Sequence, residues 1–184
     1  MPDAPNRRLT RALLVLAAWT AAAFVMGALS RGDTVSNPAE MVTALASGAA
    51  INLLAALGVL AGATWLFRWG DLGFHAPDWG KLIRVMGFPL LTLAPLPLLA
   101  WGIGLPPGPA IAYLAFNTAL IALSEEWMFR GILLRALLAR FRLWPAVLIT
   151  SVLFGAFHVL NAFSLGDLRM ALAQSVAAMM TGML

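Results

Sequence analysis

Residues 41–67 read MVTALASGAAINLLAALGVLAGATWLF, a run of 27 residues without a formal charge, and residues 85–124 form a second uncharged run. The whole chain has 184 residues, of which 61% are hydrophobic and 11% are charged. Soluble domains average about 45–50% apolar and about 25% charged residues. Because long uncharged apolar runs are typical of membrane spans, the sequence excludes an ordinary water-soluble globular domain.

Apolar segments follow one another along the chain, at roughly residues 12–29, 42–67, 82–102, 110–141, 145–163 and 170–184. As a helix, the last segment rises only about 22 Å, which is short of the ~30 Å hydrocarbon core of a bilayer. We therefore predict an all-α fold: a polytopic transmembrane helical bundle of about six spans, with the last span incomplete.

The basic residues alternate with the apolar segments. They precede the first segment, bracket the connection after the second and follow the fourth. The first outer connection carries Arg31 against Asp33 and Glu40, and the next one, around residues 104–109, has no charge. This asymmetry follows the positive-inside rule and predicts a cytoplasmic N-terminus, as in an integral protein of a bacterial inner or plasma membrane. Residues 12–30 are uncharged and exceed the usual signal-peptide core of about 7–15 residues, which favours a retained anchor helix over a cleaved signal. The basic residues form no single stripe despite a pI of about 11.1, so nucleic acid is not an expected partner.

Two adjacent carboxylates interrupt the fourth segment, where residues 124–130 read SEEWMFR. A charge at mid-span costs about 2.5–3.5 kcal/mol on insertion scales. Arg130 follows Glu126 by four residues and can pair with it on one helical face. Glu125 is rotated by about 100° from that face and is left as a candidate general base. Alternatively, both glutamates lie at a helix end in the headgroup region, where charge costs little.

Distances along the helices favour a site within the bilayer. Counted from the turn after the fourth segment, Glu126 lies about 24 Å back along its helix, and His158 lies about 21 Å along the antiparallel helix that follows. The two residues therefore stand at nearly the same height. Polar and aromatic residues recur on one face of the fifth segment at i, i+3, i+7 and i+10, namely Ser151, Phe154, His158 and Asn161. Such a face indicates a packed polar seam or a water-filled cavity, and the facing glutamates favour the cavity.

Two hydrolytic mechanisms fit these residues. Glu125 and His158 could hold and deprotonate a water molecule, or they could be two ligands of a divalent metal such as zinc that needs a third ligand. The sequence has no His-Glu-x-x-His, no Gly-x-Ser-x-Gly and no cysteine, so zincin, serine-hydrolase and thiol mechanisms lack their residues. Ser124 is a conceivable nucleophile, but a helix interior does not expose it. His75 is interpreted as an interfacial residue without a role.

The spacing Glu125-Glu126-x-x-x-Arg130, followed by Phe154-x-x-x-His158 on the next helix, resembles the first two motifs of the CPBP family. That family comprises CAAX-processing endopeptidases and bacteriocin-processing or immunity proteins, also called the Abi family. The upstream Leu72-Gly73-Phe74, with Pro77 and Trp79, is similar to a softer feature of the family. A final family motif, His-x-x-x-Asn on a last helix, has no counterpart here, and we expect a C-terminally truncated sequence rather than a shortened inactive relative.

The resemblance implies an intramembrane metalloprotease in which Glu125 and His158 activate water, while Glu126 and Arg130 support the site and Phe154 packs beside it. We expect residues 1–65 to form N-terminal transmembrane helices and residues 66–184 to form the CPBP-like core. The expected function is that of a CAAX-type endopeptidase acting on a peptide or protein substrate at the bilayer, with zinc as a conceivable cofactor. The substrate pocket would be supported by Ser151, Phe154 and Asn161. Two alternatives stay open: a non-catalytic bacteriocin-immunity or interaction protein of the same fold, and a proton-coupled transporter.

Overall fold

The structure, a computed structural model, describes residues 5–30, 51–73, 76, 78–80, 108–162 and 167–183. The regular elements within these ranges are all helices, which confirms the all-α prediction. In chain order they are α1 (Pro5–Ser30), α2 (Ile51–Phe67), α3 (Gly108–Glu126), a π-helical segment (Trp127–Leu134), α4 (Arg135–Leu138), α5 (Leu143–Val159) and α6 (Leu168–Gly182). The predicted third span, residues 82–102, lies outside the described residues, as do Phe74, His75 and Pro77.

One helix in the described part of the chain is both long and apolar enough to cross a bilayer, over Asn6–Val25 of α1. Helices α2 and α5 are also apolar, but each has 17 residues. Large apolar side chains of these two helices face outward from the bundle, including Trp65, Leu66, Leu143 and Trp144. Tryptophans of this kind are enriched where a membrane meets water. The predicted number of spans rests on the sequence, since α1 is the one described helix that meets both the length and the hydropathy requirement.

The helices pack as two pairs around a central helix. α1 lies along α2 and α6 lies along α5, and the continuous helix formed by α3, the π-helical segment and α4 contacts both pairs. Aromatic rings fill the space between them. The centroid of Trp19 lies 5.7 Å from that of Phe129 and 4.6 Å from that of Phe157, and Phe129 lies 4.8 Å from Phe154. Such pairs contribute about 0.5–1.5 kcal/mol each beyond the area that they bury.

The central helix differs from the prediction of one regular helix over residues 110–141. It changes from α to π geometry at Trp127, returns to α geometry at Arg135 and ends at Leu138. The chain then turns over residues 139–141, and Pro145 lies in the first turn of α5, where proline is tolerated. Within the π-helical segment, Gly131 packs against the carbonyl oxygen of Leu72. A Cβ on Gly131 would lie 3.2 Å from that oxygen. Local periodicity could not predict this segment, because the contact comes from a distant part of the chain.

Helix α6 begins at Leu168, slightly earlier than the predicted residue 170. Its N-cap is Asp167, whose carboxylate accepts hydrogen bonds from the backbone N–H groups of Arg169 and Met170 at 2.8 and 3.2 Å. The cap satisfies donors that a helix start otherwise leaves free. It also fixes where α6 starts to run back along α5.

Small residues allow α5 and α6 to cross closely. A Cβ on Gly155 would lie 2.8 Å from the carbonyl oxygen of Ser175 and 2.9 Å from the Cβ of Met179, and a Cβ on Gly182 would lie 3.1 Å from the Cα of Ser151. At the same crossing, the Ser175 hydroxyl donates a 2.7 Å hydrogen bond to the carbonyl of Gly155. Close approach through small residues is how membrane helices associate, because water does not drive them together.

Gly155→Ala is expected to lower the free energy of unfolding by about 1–3 kcal/mol, because the new methyl group overpacks the α5–α6 crossing. The measurement is the thermal unfolding midpoint of the purified protein in detergent. Gly62→Ala is the matched control, since no atom lies within 4 Å of a Cβ at that position and alanine has the better helix propensity. Equal midpoints for the two variants would contradict the close crossing.

Candidate active site

Glu125 and Glu126 occupy the last turn of α3, directly before the π-helical segment. Glu126 extends to the surface with 55% of its side chain exposed, and its Oε1 lies 3.2 Å from the Nη1 of Arg130. This contact is the ion pair that the four-residue spacing predicts. Glu125 turns to the other side, toward α5, and only 21% of its side chain is exposed. The two neighbouring carboxylates therefore have separate surroundings.

His158 lies in the last turn of α5 with 11% of its side chain exposed. Its Nδ1 is 2.9 Å from the carbonyl oxygen of Phe154. A carbonyl oxygen can only accept, so Nδ1 carries the hydrogen, and in the neutral imidazole Nε2 keeps its lone pair. The nitrogen that faces Glu125 is consequently the one able to accept a proton or bind a metal.

The Nε2 of His158 and the Oε1 of Glu125 are 3.9 Å apart. This separation is too long for a direct hydrogen bond. Two groups that hydrogen-bond to one water at the tetrahedral angle lie about 4.5 Å apart, and two tetrahedral zinc ligands lie about 3.4 Å apart. The observed distance between Nε2 and Oε1 lies between these two values, so a single atom could bridge the two side chains. The predicted equal height of the glutamate pair and His158 therefore corresponds to a real approach of the two helices.

Aromatic rings surround the imidazole on the α5 side. Phe154 meets it edge-on with a centroid distance of 4.7 Å, and Phe157 does so at 5.7 Å. The guanidinium of Arg130 lies over the Phe154 ring, 5.1 Å from its centroid. Arg130 thus contacts Glu126 on one side and Phe154 on the other, and such a cation–π contact contributes about 0.5–2 kcal/mol. These contacts restrict the imidazole to a small range of orientations.

The donor set of this site does not fit a catalytic zinc ion by itself. A catalytic zinc site has three protein ligands, and within the described ranges no three His, Cys, Asp or Glu side chains are grouped so as to hold a metal. Glu125 and His158 supply two donors at most. A metal here would need a ligand from the rest of the chain or from another molecule.

Three further residues considered as candidates form hydrogen bonds with groups other than the Glu125–His158 pair. Ser151 is fully buried, donates to the carbonyl of Val147 at 2.8 Å and packs against Gly182. Asn161 donates to the side chain of Gln174 at 2.9 Å, so it ties α5 to α6. Ser124 is buried and accepts a hydrogen bond, which agrees with its rejection as a nucleophile. Phe154 is the predicted pocket residue whose ring packs against the imidazole.

A short loop segment, which contains part of the softer family feature at Leu72-Gly73-Phe74, packs beside the site. Residues 71–73 follow α2 and lie against the π-helical segment, where Arg135 binds the carboxylate of Asp71 at 3.0 Å and Gly73 has a positive φ of 80°. A Cβ on Gly73 would lie 2.9 Å from the Nη2 of Arg135, so both the backbone angle and the space favour glycine. An open cavity of about 370 Å³ lies at this junction, lined by Leu72, Gly73, Glu126, Arg130, Gly131, Leu134 and Arg135.

The fold and the site together define a helical bundle in which a carboxylate and an imidazole face each other between two helices. Residues 107–184 match the family described as type II CAAX prenyl endopeptidase Rce1-like. The match spans α3 to α6 and includes both motifs, so the resemblance to CAAX-processing proteases is confirmed. No curated protein and no solved structure gives a significant match. The match supports, at the level of the family, a membrane protein related to CAAX-type endopeptidases, while the roles of single residues stay predictions.

Proposed function

We propose that the chain is an intramembrane endopeptidase that hydrolyses a peptide bond of a CAAX-type substrate with a water molecule held between Glu125 and His158. One observation carries the proposal: the Nε2 of His158, which holds a lone pair in the neutral imidazole, faces the Glu125 carboxylate at 3.9 Å. The pair lies within the segment that matches the CAAX endopeptidase family. Both side chains are mostly buried, which limits competition from bulk water and strengthens their electrostatic effect.

In the proposed reaction, Glu125 removes a proton from the water while His158 orients it through Nε2. The water oxygen forms a bond to the carbonyl carbon of the substrate, and a tetrahedral intermediate results. The C–N bond then breaks, and Glu125 returns the proton to the leaving amine. Arg130 and Glu126 support the site by holding the Phe154 ring beside the imidazole. Zinc stays a conceivable cofactor of the proposed reaction, and Glu125 and His158 would be two of its ligands.

The proposal includes a setting and a substrate class. The substrate is a peptide or protein at the surface of a bacterial inner membrane, and the N-terminus of the chain lies in the cytoplasm. Support for this orientation comes from the distribution of arginine, since Arg7, Arg8 and Arg11 precede α1's apolar stretch. The prenyl group of the substrate is a family-level expectation.

The experiment compares the wild-type chain with Glu125→Ala in three assays. These are cleavage of a prenylated CAAX peptide in proteoliposomes, followed by mass spectrometry, protection of cells against a bacteriocin, and proton-coupled uptake into vesicles. Cleavage by the wild type that is lost in the folded variant supports the proposal. Absence of cleavage together with protection that survives Glu125→Ala would instead establish a non-catalytic immunity role, and uptake that depends on Glu125 would establish a transporter.

A further inference from the structure

Trp19 of α1 connects to the candidate site although it lies far from it in sequence. It is buried, with 2% of its surface exposed, and its indole Nε1 donates a 2.7 Å hydrogen bond to the hydroxyl of Ser124. Ser124 is itself buried and directly precedes Glu125. A buried indole N–H that lacks an acceptor is costly in an apolar environment. The hydrogen bond therefore holds the last turn of α3 against α1.

The same indole ring also contacts the helix that carries His158. It stacks at a tilt on Phe157 with a centroid distance of 4.6 Å, and Phe157 directly precedes His158 and touches its imidazole edge-on. The indole also makes an edge-to-face contact with Phe129 of the π-helical segment, at a centroid distance of 5.7 Å. One side chain of α1 thus touches the neighbour of Glu125 and the neighbour of His158.

We propose that Trp19 is a positioning residue that sets the separation between Glu125 and His158. The inference rests on the proposed hydrolytic function and adds a residue from outside the family-matched segment, residues 107–184. Its basis is that the carboxylate and the imidazole are borne by different helices, and no direct hydrogen bond joins them at 3.9 Å. Their spacing therefore depends on what holds the two helices together at that level. The Trp19 indole donates a hydrogen bond to Ser124 of α3 and makes a ring contact with Phe157 of α5.

A second role for a buried tryptophan is simple filling of the core, and the two roles predict different results. Core filling requires the ring but not the N–H group, and its loss affects the stability of the whole bundle. Positioning requires the N–H···Oγ bond as well, and its loss affects the turnover step more than substrate binding. Misplacement of reacting groups by a small distance lowers the rate without a matching loss of affinity.

The test uses Trp19→Phe and Ser124→Ala in the full chain, each of which removes the hydrogen bond and keeps most of the packing. We expect each variant to lower kcat for peptide cleavage about fivefold, which corresponds to about 1 kcal/mol, with KM within about twofold of the wild type. Since both changes remove the same bond, the double variant is expected to lose no more than either single variant. Trp19→Ala, which also removes the ring contacts, is expected to show a larger loss of kcat.

Thr64→Ala is the matched control. The hydroxyl of Thr64 accepts a 3.2 Å hydrogen bond from the indole of Trp127, so this variant removes a tryptophan–hydroxyl bond that does not reach Glu125 or His158. The Thr64→Ala variant is expected to keep kcat within about twofold of the wild type. Its unfolding midpoint is expected to change about as much as those of Trp19→Phe and Ser124→Ala, because each variant loses one hydrogen bond. If Trp19→Phe and Ser124→Ala leave kcat unchanged while Glu125→Gln abolishes cleavage, the positioning role is wrong and the proposed function stands. If Glu125→Gln retains full cleavage, the proposed function is wrong.

Discussion

Glu125→Gln is expected to lower kcat for peptide cleavage by about 10³- to 10⁴-fold, with KM close to that of the wild type. The amide has the shape of the carboxylate and still fits between α3 and α5, but it cannot take a proton from water. Loss of an interaction that acts in the transition state lowers kcat and kcat/KM equally. The measurement is steady-state cleavage of a fluorogenic peptide in proteoliposomes, with the unfolding midpoint recorded in parallel.

Asp167→Asn is the control for this prediction, because it makes the same carboxylate-to-amide change outside the site. Asp167 caps α6 through hydrogen bonds to backbone N–H groups, and asparagine is an equally good N-cap. This variant is expected to retain kcat and stability. A Glu125→Gln protein that still cleaves at more than one tenth of the wild-type rate would exclude Glu125 as the general base.

His158→Gln is expected to lower kcat by about 10²- to 10³-fold, the second largest effect that we expect. The glutamine side chain can reach toward the same carbonyl of Phe154, but it lacks the Nε2 lone pair that faces Glu125 in the neutral imidazole. Water then loses its second partner, although Glu125 can still accept a proton. The residual rate is therefore expected to exceed that of Glu125→Gln. The measurement is the same cleavage assay.

The control for His158→Gln is His75→Gln, the same change at the second of the chain's two histidines. It is expected to leave kcat unchanged. A further check is the combination of Glu125→Gln with His158→Gln, which should be no slower than Glu125→Gln alone because residues that act on one water are not additive. Independent, multiplicative losses would mean that the two side chains do not share a water.

The sequence was sufficient to predict the parts of the site that depend on spacing within one helix or across one helical hairpin. The pair of Glu126 and Arg130 follows from four-residue spacing, which places side chains on one face. The approach of Glu125 to His158 follows from counting the rise of two antiparallel helices from their shared turn. Both predictions use local geometry alone.

Features that depend on contacts between distant segments could not be predicted in this way. Ser151 shares a face with His158 by periodicity, yet it packs against Gly182 because α6 approaches α5 closely at small residues. The π-helical segment coincides with the crossing of Leu72 over Gly131. For Trp19 the sequence offers one weak indication of a special role. The residue lies within an apolar segment, whereas membrane tryptophans are usually found at the segment ends.

The imidazole of His158 is held by its own helix, because the acceptor of its Nδ1 hydrogen is a carbonyl four residues earlier. The direction in which the ring points therefore moves with α5 as a unit. The width of the gap to Glu125 is instead a property of how α5 lies against the central helix. A shift of α5 against the central helix would consequently change the distance between the two side chains without altering the tautomer of His158.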